Sequence, residues 1–225
     1  MGMRMDFEPF FKRYEELLAK ADAAFDRVKT EYPEHVKCTI GCADCCHAVF
    51  DLSLVEALYI NHHFQIRFQG AEKARVLEKA NHADRKAHKL KKKAYQELRQ
   101  GKKEVDILVE MAGERIRCPL LNSQDACDLY ERRPITCRLY GLPTLIGGIS
   151  HTCGRSGFVE KTAYPTVKVD VIQKTLYDIS NEIVATIRSR YVKMGDMLVP
   201  LSMALLTDYD DEYLGIKTEK RKKGD

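Results

Sequence analysis

From Asp6 to Thr30, apolar side chains recur at intervals of three and four: Phe7, Phe10, Phe11, Tyr14, Leu17, Leu18, Ala21, Phe25 and Val28. That period predicts a helix with one broad apolar face. Pro33 ends it, because its ring removes a backbone donor and restrains the residue before it. An aromatic stripe of this kind serves core packing more readily than a ligand. A second helix is predicted through Leu54, Val55, Leu58, Tyr59, Ile60 and Phe64, capped by Asp51 or Ser53. His62 and His63 fall in its last turn, where the helix dipole favours them, and they read as exposed histidines rather than metal ligands.

From Ala71 to about Arg115 the pattern gives one long helix, or a pair broken near Gly101, with a thin stripe of Ala74, Leu77, Leu90, Ala94 and Leu98. Helical periodicity returns from Val167 to Arg190, and a shorter helix is expected around Pro200 to Leu206. Between them, Cys118 to Cys153 is punctuated by Pro119, Pro134, Pro143, Gly141, Gly147, Gly148 and Gly154. It reads as loop, with a short hairpin around Gly147-Gly148. So long an irregular stretch needs a functional or covalent reason to be ordered. The fold class is mainly α: a helical domain with a loop-rich cysteine lobe that binds metal. A single domain is expected over 1–216, its lobe formed by 35–50 and 115–157 around an inserted basic helical region, 71–115. A flexible basic tail, 217–225, follows.

Composition narrows the class. With 44% hydrophobic and 31% charged residues among 225, the chain is neither disordered nor membrane-spanning. Met1 to Arg13 shows no apolar signal-peptide core, so the cytoplasm is the expected location. The net charge is +4, yet Lys73 to Lys103 holds 12 basic and 3 acidic side chains, a local +9 that leaves the remainder at −5. A solvated helix face is the plain reading. If the basic helix 73–103 has a partner, an acidic protein is expected. Nucleic acid is less favoured, because only Tyr95 interleaves the run and no nucleic-acid motif accompanies it.

The chemistry lies in the cysteines. Eight occur, in two groups: Cys38, Cys42, Cys45 and Cys46, then Cys118, Cys127, Cys137 and Cys153. In a reducing compartment such a set points to metal rather than disulfides. On a helix, positions i, i+4, i+7 and i+8 share a face, so the first group could gather its sulfurs. Gly41 favours a loop instead. Adjacent side chains diverge by ~100° on a helix, so Cys45 and Cys46 are expected to split between sites. Soft thiolates select zinc, Cu(I) or iron–sulfur clusters. The dense run and the proline after Cys118 favour a cluster, 4Fe-4S in type, with zinc as the alternative. Arg117, Arg132, Arg133, Arg138 and Arg155 flank the second group and suit an anionic centre. His47 and His151 are candidate substitute ligands. Tyr130, Glu131 and Tyr140 are the remaining acid–base candidates, read first as loop-fixing groups. No Gly-rich nucleotide fingerprint appears.

Two stretches carry a resemblance. The run Cys38-x3-Cys42-x2-Cys45-Cys46, with Cys118-Pro119-Leu120 and Cys127-Asp128-Leu129-Tyr130-Glu131-Arg132-Arg133-Pro134-Ile135-Thr136-Cys137-Arg138, resembles the CxxxCxxCC cysteine-cluster family, the YkgJ-like zinc- or iron-chelating domains. All eight cysteines have counterparts in that pattern, Cys153 being the last, and the resemblance covers Cys38 to Cys153. It implies metal chelation by the eight cysteines, through an iron–sulfur cluster or zinc. Some relatives carry the label flagellin lysine N-methylase, so a methylase-like enzyme is a further alternative. Nothing beyond the cysteine pattern supports methylation.

Overall fold

The computed structural model describes residues 6–39, 41–159 and 161–216. The expected tail 217–225 lies outside them. Seven α-helices and five short strands lie among the described residues, so the fold is mainly α. The first helix, α1, spans Glu8–Glu31 and stops at Tyr32, one residue before Pro33.

The central element is α2, Leu54–Arg67, with nine of its fourteen residues buried. Ser53 is its cap: Ser53 N–H and Oγ both donate to Glu56 Oε2, at 3.0 and 2.9 Å. Asp51, the other expected cap, lies instead in β1, Asp51–Leu52, which pairs antiparallel with β5, Val199–Pro200. A helix apolar on most sides must be covered on most sides. One face of α2, with Leu54, Val55, Leu58 and Tyr59, meets Phe11, Tyr14 and Leu18 of α1. The same core takes in α5, Ile135–Leu139, and α6, Val169–Thr186. The opposite face, with Ala57, Ile60 and Phe64, meets Val76 and Ala80 of α3, Gly70–Arg99. Leu120, Leu129 and α7, Leu201–Leu206, complete that second core. Each such aliphatic or aromatic side chain stabilises the fold by about 1.5–3 kcal/mol on burial.

The break near Gly101 is present: Gly101 has φ +90°, and α4, Glu104–Gly113, follows it. The expected hairpin is also present, β2, Thr144–Ile146, antiparallel to β3, Ile149–His151. Gly147 and Gly148 turn it at φ +56° and +80°, the left-handed values a tight hairpin needs. A two-residue strand, β4, Val167–Lys168, lies parallel to β2 and leads into α6. One expectation changes at the end of α2. His62 is exposed but His63 is half-buried, its ring 4.4 Å from that of Tyr59. No described helix is long and apolar enough to cross a membrane.

Candidate metal centre

The first cysteine run is a loop, as Gly41 at φ +87° requires. Cys42 N–H turns back onto the Thr39 carbonyl at 3.0 Å, and Cys45–His47 forms one 3-10 turn. The chain then pairs with a segment some seventy residues away. Ala48 bridges Arg115, Ile116 N–H donates to the His47 carbonyl at 2.9 Å, and Cys118 N–H donates to the Cys46 carbonyl at 2.7 Å. Backbone hydrogen bonding thus carries Cys118 beside the first run.

Cys127 returns to Cys118 through a tight loop. Leu121 bridges Cys127, while Asn122 N–H bonds the Ala126 carbonyl and Asp128 N–H the Leu120 carbonyl, each at 2.9 Å. Cys137 rides on α5. Ile135 N–H at the start of that helix donates to Glu56 Oε1 at 3.2 Å. Buried Arg138 ties it down further, through Asp22 and the carbonyls of Glu131 and Arg133. Cys153 follows the β2–β3 hairpin, and its Sγ stands 3.6 Å from Asp44 Oδ2. Cys38 Sγ stands 3.6 Å from the Tyr140 carbonyl.

All eight cysteines are free and half-buried, and together they line two adjoining cavities. The first, of about 70 Å³, has Cys46, Cys118 and Cys127 in its wall, with apolar Ile60, Ala83, Ala87 and Pro119. The second, of about 430 Å³, has Cys38, Cys42 and Cys153, with Asp44 and Tyr140. Cys45, Cys137 and Arg133 line both. Cys45 and Cys46, adjacent in sequence, have their Sγ atoms 4.0 Å apart. Among the described residues, no three His, Cys, Asp or Glu side chains already converge on one point as the ligands of a single ion.

The electrostatics show what such a site lacks. Burial pushes Cys118 up to about 12, and burial with the nearby Cys42 and Cys153 pushes Cys38 up to about 11. Cys137 is raised well above the usual thiol range by burial and by Cys45, Cys118 and Cys127, with Arg133 acting the other way. Burial also raises Cys127 and Cys153. Cys45 runs opposite. A hydrogen bond shared with Cys46 lowers it to about 7 and raises Cys46. So many thiols in so small a volume resist ionisation together unless a soft cation compensates them. The donor set therefore fits a thiophilic metal.

The flanking arginines divide. Arg133 faces both cavities, its guanidinium 3.5 Å over the Tyr130 ring. Arg155 reaches Asp44 Oδ1 at 3.5 Å. The other three place their charge on other partners, Arg117 on Asn122 and Asp125, Arg132 on Glu15 and Tyr59, and Arg138 on Asp22, although Arg117 also borders the first cavity and Arg138 the second. One residue that pattern reading passes over, Asp44, joins the second cavity. Asp44 accepts from Tyr140 Oη at 3.1 Å and from Arg115 at 2.6 Å. An aspartate inside a cysteine run is the signal that marks it.

Of the remaining candidates, His47 Nδ1 lies 3.0 Å from the Ala43 carbonyl, His151 is exposed on β3, and Glu131 is exposed at the rim of the second cavity. His62 and His63 line neither cavity.

A family model, CxxCxxCC, described as "Putative zinc- or iron-chelating domain", matches residues 37–154, just over half of the chain. The matched segment holds all eight cysteines, with three residues rather than two between Cys38 and Cys42. Among curated proteins and among solved structures, no match emerged.

Proposed function

We propose that this chain, which belongs to the CxxCxxCC family of zinc- or iron-chelating domains, holds iron–sulfur clusters of the 4Fe-4S type in two adjoining sites and serves redox or cluster-assisted chemistry. The family description supports metal binding. The observation that carries the finer reading is the pair of thiol-walled cavities sharing Cys45 and Cys137. Each cavity has three cysteines of its own, so assigning one shared cysteine to each gives four and four. We assign Cys137, which lines both cavities, to the inner set with Cys46, Cys118 and Cys127. Cys45 completes the outer set with Cys38, Cys42 and Cys153. An inner cavity of about 70 Å³ is several times the ~10–15 Å³ that one water needs on the same measure, and so exceeds what a bare ion fills.

A bound cluster supplies one-electron transfer, at a potential set by burial, nearby charge and hydrogen bonds to sulfur. The chain's own residues set those conditions. The apolar wall of the inner cavity, with Ile60, Ala83, Ala87 and Leu120, limits water around its thiols, and Arg133 places a cation against both thiol groups. Asp44, held by Arg115 and Tyr140, braces the outer site, whose larger polar cavity gives a redox partner or substrate its approach.

The alternative, a structural zinc module, draws on one distance. The 4.0 Å between Cys45 and Cys46 sulfurs is close to the ~3.8 Å edge of a zinc tetrahedron built on ~2.3 Å bonds.

Elemental analysis with an absorption spectrum, on protein purified without oxygen, decides between them. Iron with matching acid-labile sulfide and a broad band near ~400 nm is the expected result. Stoichiometric zinc with a featureless visible spectrum overturns the cluster reading.

A further inference from the structure

The cysteine sites leave the most charged element of the molecule unexplained. Helix α3 runs for 30 residues, about 45 Å. Its buried stripe is Val76, Ala80, Ala83 and Ala87. On the exposed side stand Arg85, Lys86, Lys89, Lys92, Lys93 and Arg99. The nearby acidic residues leave most of these cations unpaired. Asp84 is turned to α7, where Ser202 Oγ donates to it at 3.2 Å, and Glu97 takes Lys102 at 3.0 Å and Lys93 at 3.7 Å. Lys91 points inward to Asp51 at 2.6 Å. Among the described residues, Arg85, Lys86, Lys89, Lys92 and Arg99 form no salt bridge.

We propose that this ridge binds the phosphate backbone of a nucleic-acid duplex without reading base sequence. From Arg85 to Arg99 the ridge extends about 21 Å at 1.5 Å per residue, long enough to cross a major groove about 12 Å wide and reach the phosphates of both strands. Five cations without a salt bridge, Lys93 being shared with Glu97, thus face the phosphates on either side of that groove. A protein partner would need apolar or aromatic anchors at the centre of its interface, and the ridge itself has none, exposed Tyr95 and Leu98 lying on the flank of α3. A single strand would need aromatic platforms on which bases stack. Tyr95, the one aromatic of the stretch, lies roughly a quarter turn from the ridge's centre, with the Arg99 guanidinium 6.0 Å over its ring. Charge in a row, without anchors, suits a polyanion of uniform charge spacing. The proposal does not depend on which metal the cysteines hold.

Fluorescence anisotropy of the full-length, as-purified protein tests it, with a labelled duplex of arbitrary sequence at ~20 base pairs and salt from ~25 to ~200 mM. Binding at micromolar strength at the low end is expected, with log K falling against log salt at a slope of about −4 to −5, and the same for a second unrelated duplex. The triple variant Lys86→Gln, Lys89→Gln, Lys92→Gln flattens that slope by about 2.7 and weakens binding at least tenfold at low salt. Its metal content and circular dichroism stay those of the parent. A triple variant on α1, Lys12→Gln, Lys20→Gln, Arg27→Gln, makes the same change in net charge and leaves the slope in place. If both triples act alike, net charge alone is responsible and the ridge is not a site. Tighter binding of polyglutamate, or of a single-stranded oligothymidine, than of the duplex also overturns the proposal.

Discussion

Glu56 Oε1 accepts from the backbone N–H of Ile135 at 3.2 Å, so a carboxylate in the first turn of α2 fixes the start of the helix that carries Cys137. The same carboxylate accepts from Ser53 N–H, Ser53 Oγ and Tyr14 Oη. Burial raises its pKa, and these donors act against that rise. Removing the acceptor leaves several buried donors unpaired. Glu56→Ala therefore costs about 3 kcal/mol, roughly a 10 °C fall in melting temperature for a chain of this size. Because no thiol is touched, any loss of metal comes from displacing Cys137, at about 10- to 100-fold in affinity. Thermal melts with metal titration check both. Unchanged metal affinity in a destabilised variant would show that Cys137 is positioned without Glu56.

The two-cavity arrangement separates the cysteines by consequence. Cys127 lines only the first cavity and Cys42 only the second. Cys127→Ser and Cys42→Ser are each expected to retain about half of the bound iron and sulfide, in complementary halves. The double variant retains none. If either single variant loses all metal with its fold intact, the eight thiols hold one centre, and the division into two is wrong.

Much of this architecture is legible in local sequence, because local chemistry decides it. The spacing of Phe10, Phe11, Tyr14 and Leu18 marks α1, Gly101 marks the break after α3, and Gly147-Gly148 can turn only a hairpin of its kind. Local sequence offers Asp51 and Ser53 as caps, and the reach of Ser53 to Glu56 decides between them. What escapes the sequence is set by partners far along the chain. Nothing near Cys118 announces that its N–H meets the Cys46 carbonyl. Arginines at similar distances from cysteines look alike until Arg138 is found on Asp22 and Arg133 over Tyr130. Tyr59, four residues before His63 on α2, is a neighbour that helical spacing supplies, but Arg132, from a distant segment, cannot be placed beside His63 from the α2 pattern alone.

Gly141 stands where the outer thiols press on the backbone. It has φ +102°, and a Cβ there would lie 2.5 Å from Cys38 Sγ. In metal-free protein that sulfur can swing aside, so Gly141→Ala costs only the left-handed backbone, about 1–2 kcal/mol. In loaded protein the sulfur is pinned, and the clash adds about 1–3 kcal/mol of overpacking. The variant is expected to melt lower than the parent in both states, with the larger deficit in the loaded one. Equal deficits with and without metal would mean that Cys38 is not a ligand.

His63 supplies a pH dependence whose sign follows from its surroundings. Burial, helped by the charges of Arg132 and His62, lowers its pKa to about 4. In the unfolded chain the imidazole takes its proton at about 6.5. The fold therefore favours the neutral ring: its contribution is fully present above about 6.5 and is lost progressively as pH falls toward 4. The ring is partly open to water, so the loss is reduced from the full linkage value. Between pH 7 and 4.5 the parent's melting temperature should fall a few degrees more than that of His63→Gln. His151→Gln, which removes an exposed histidine on β3, should track the parent. Parallel slopes for the parent and His63→Gln would show that the ring is charged as readily in the fold as out of it, and that the Tyr59–Arg132 environment does not exclude the proton.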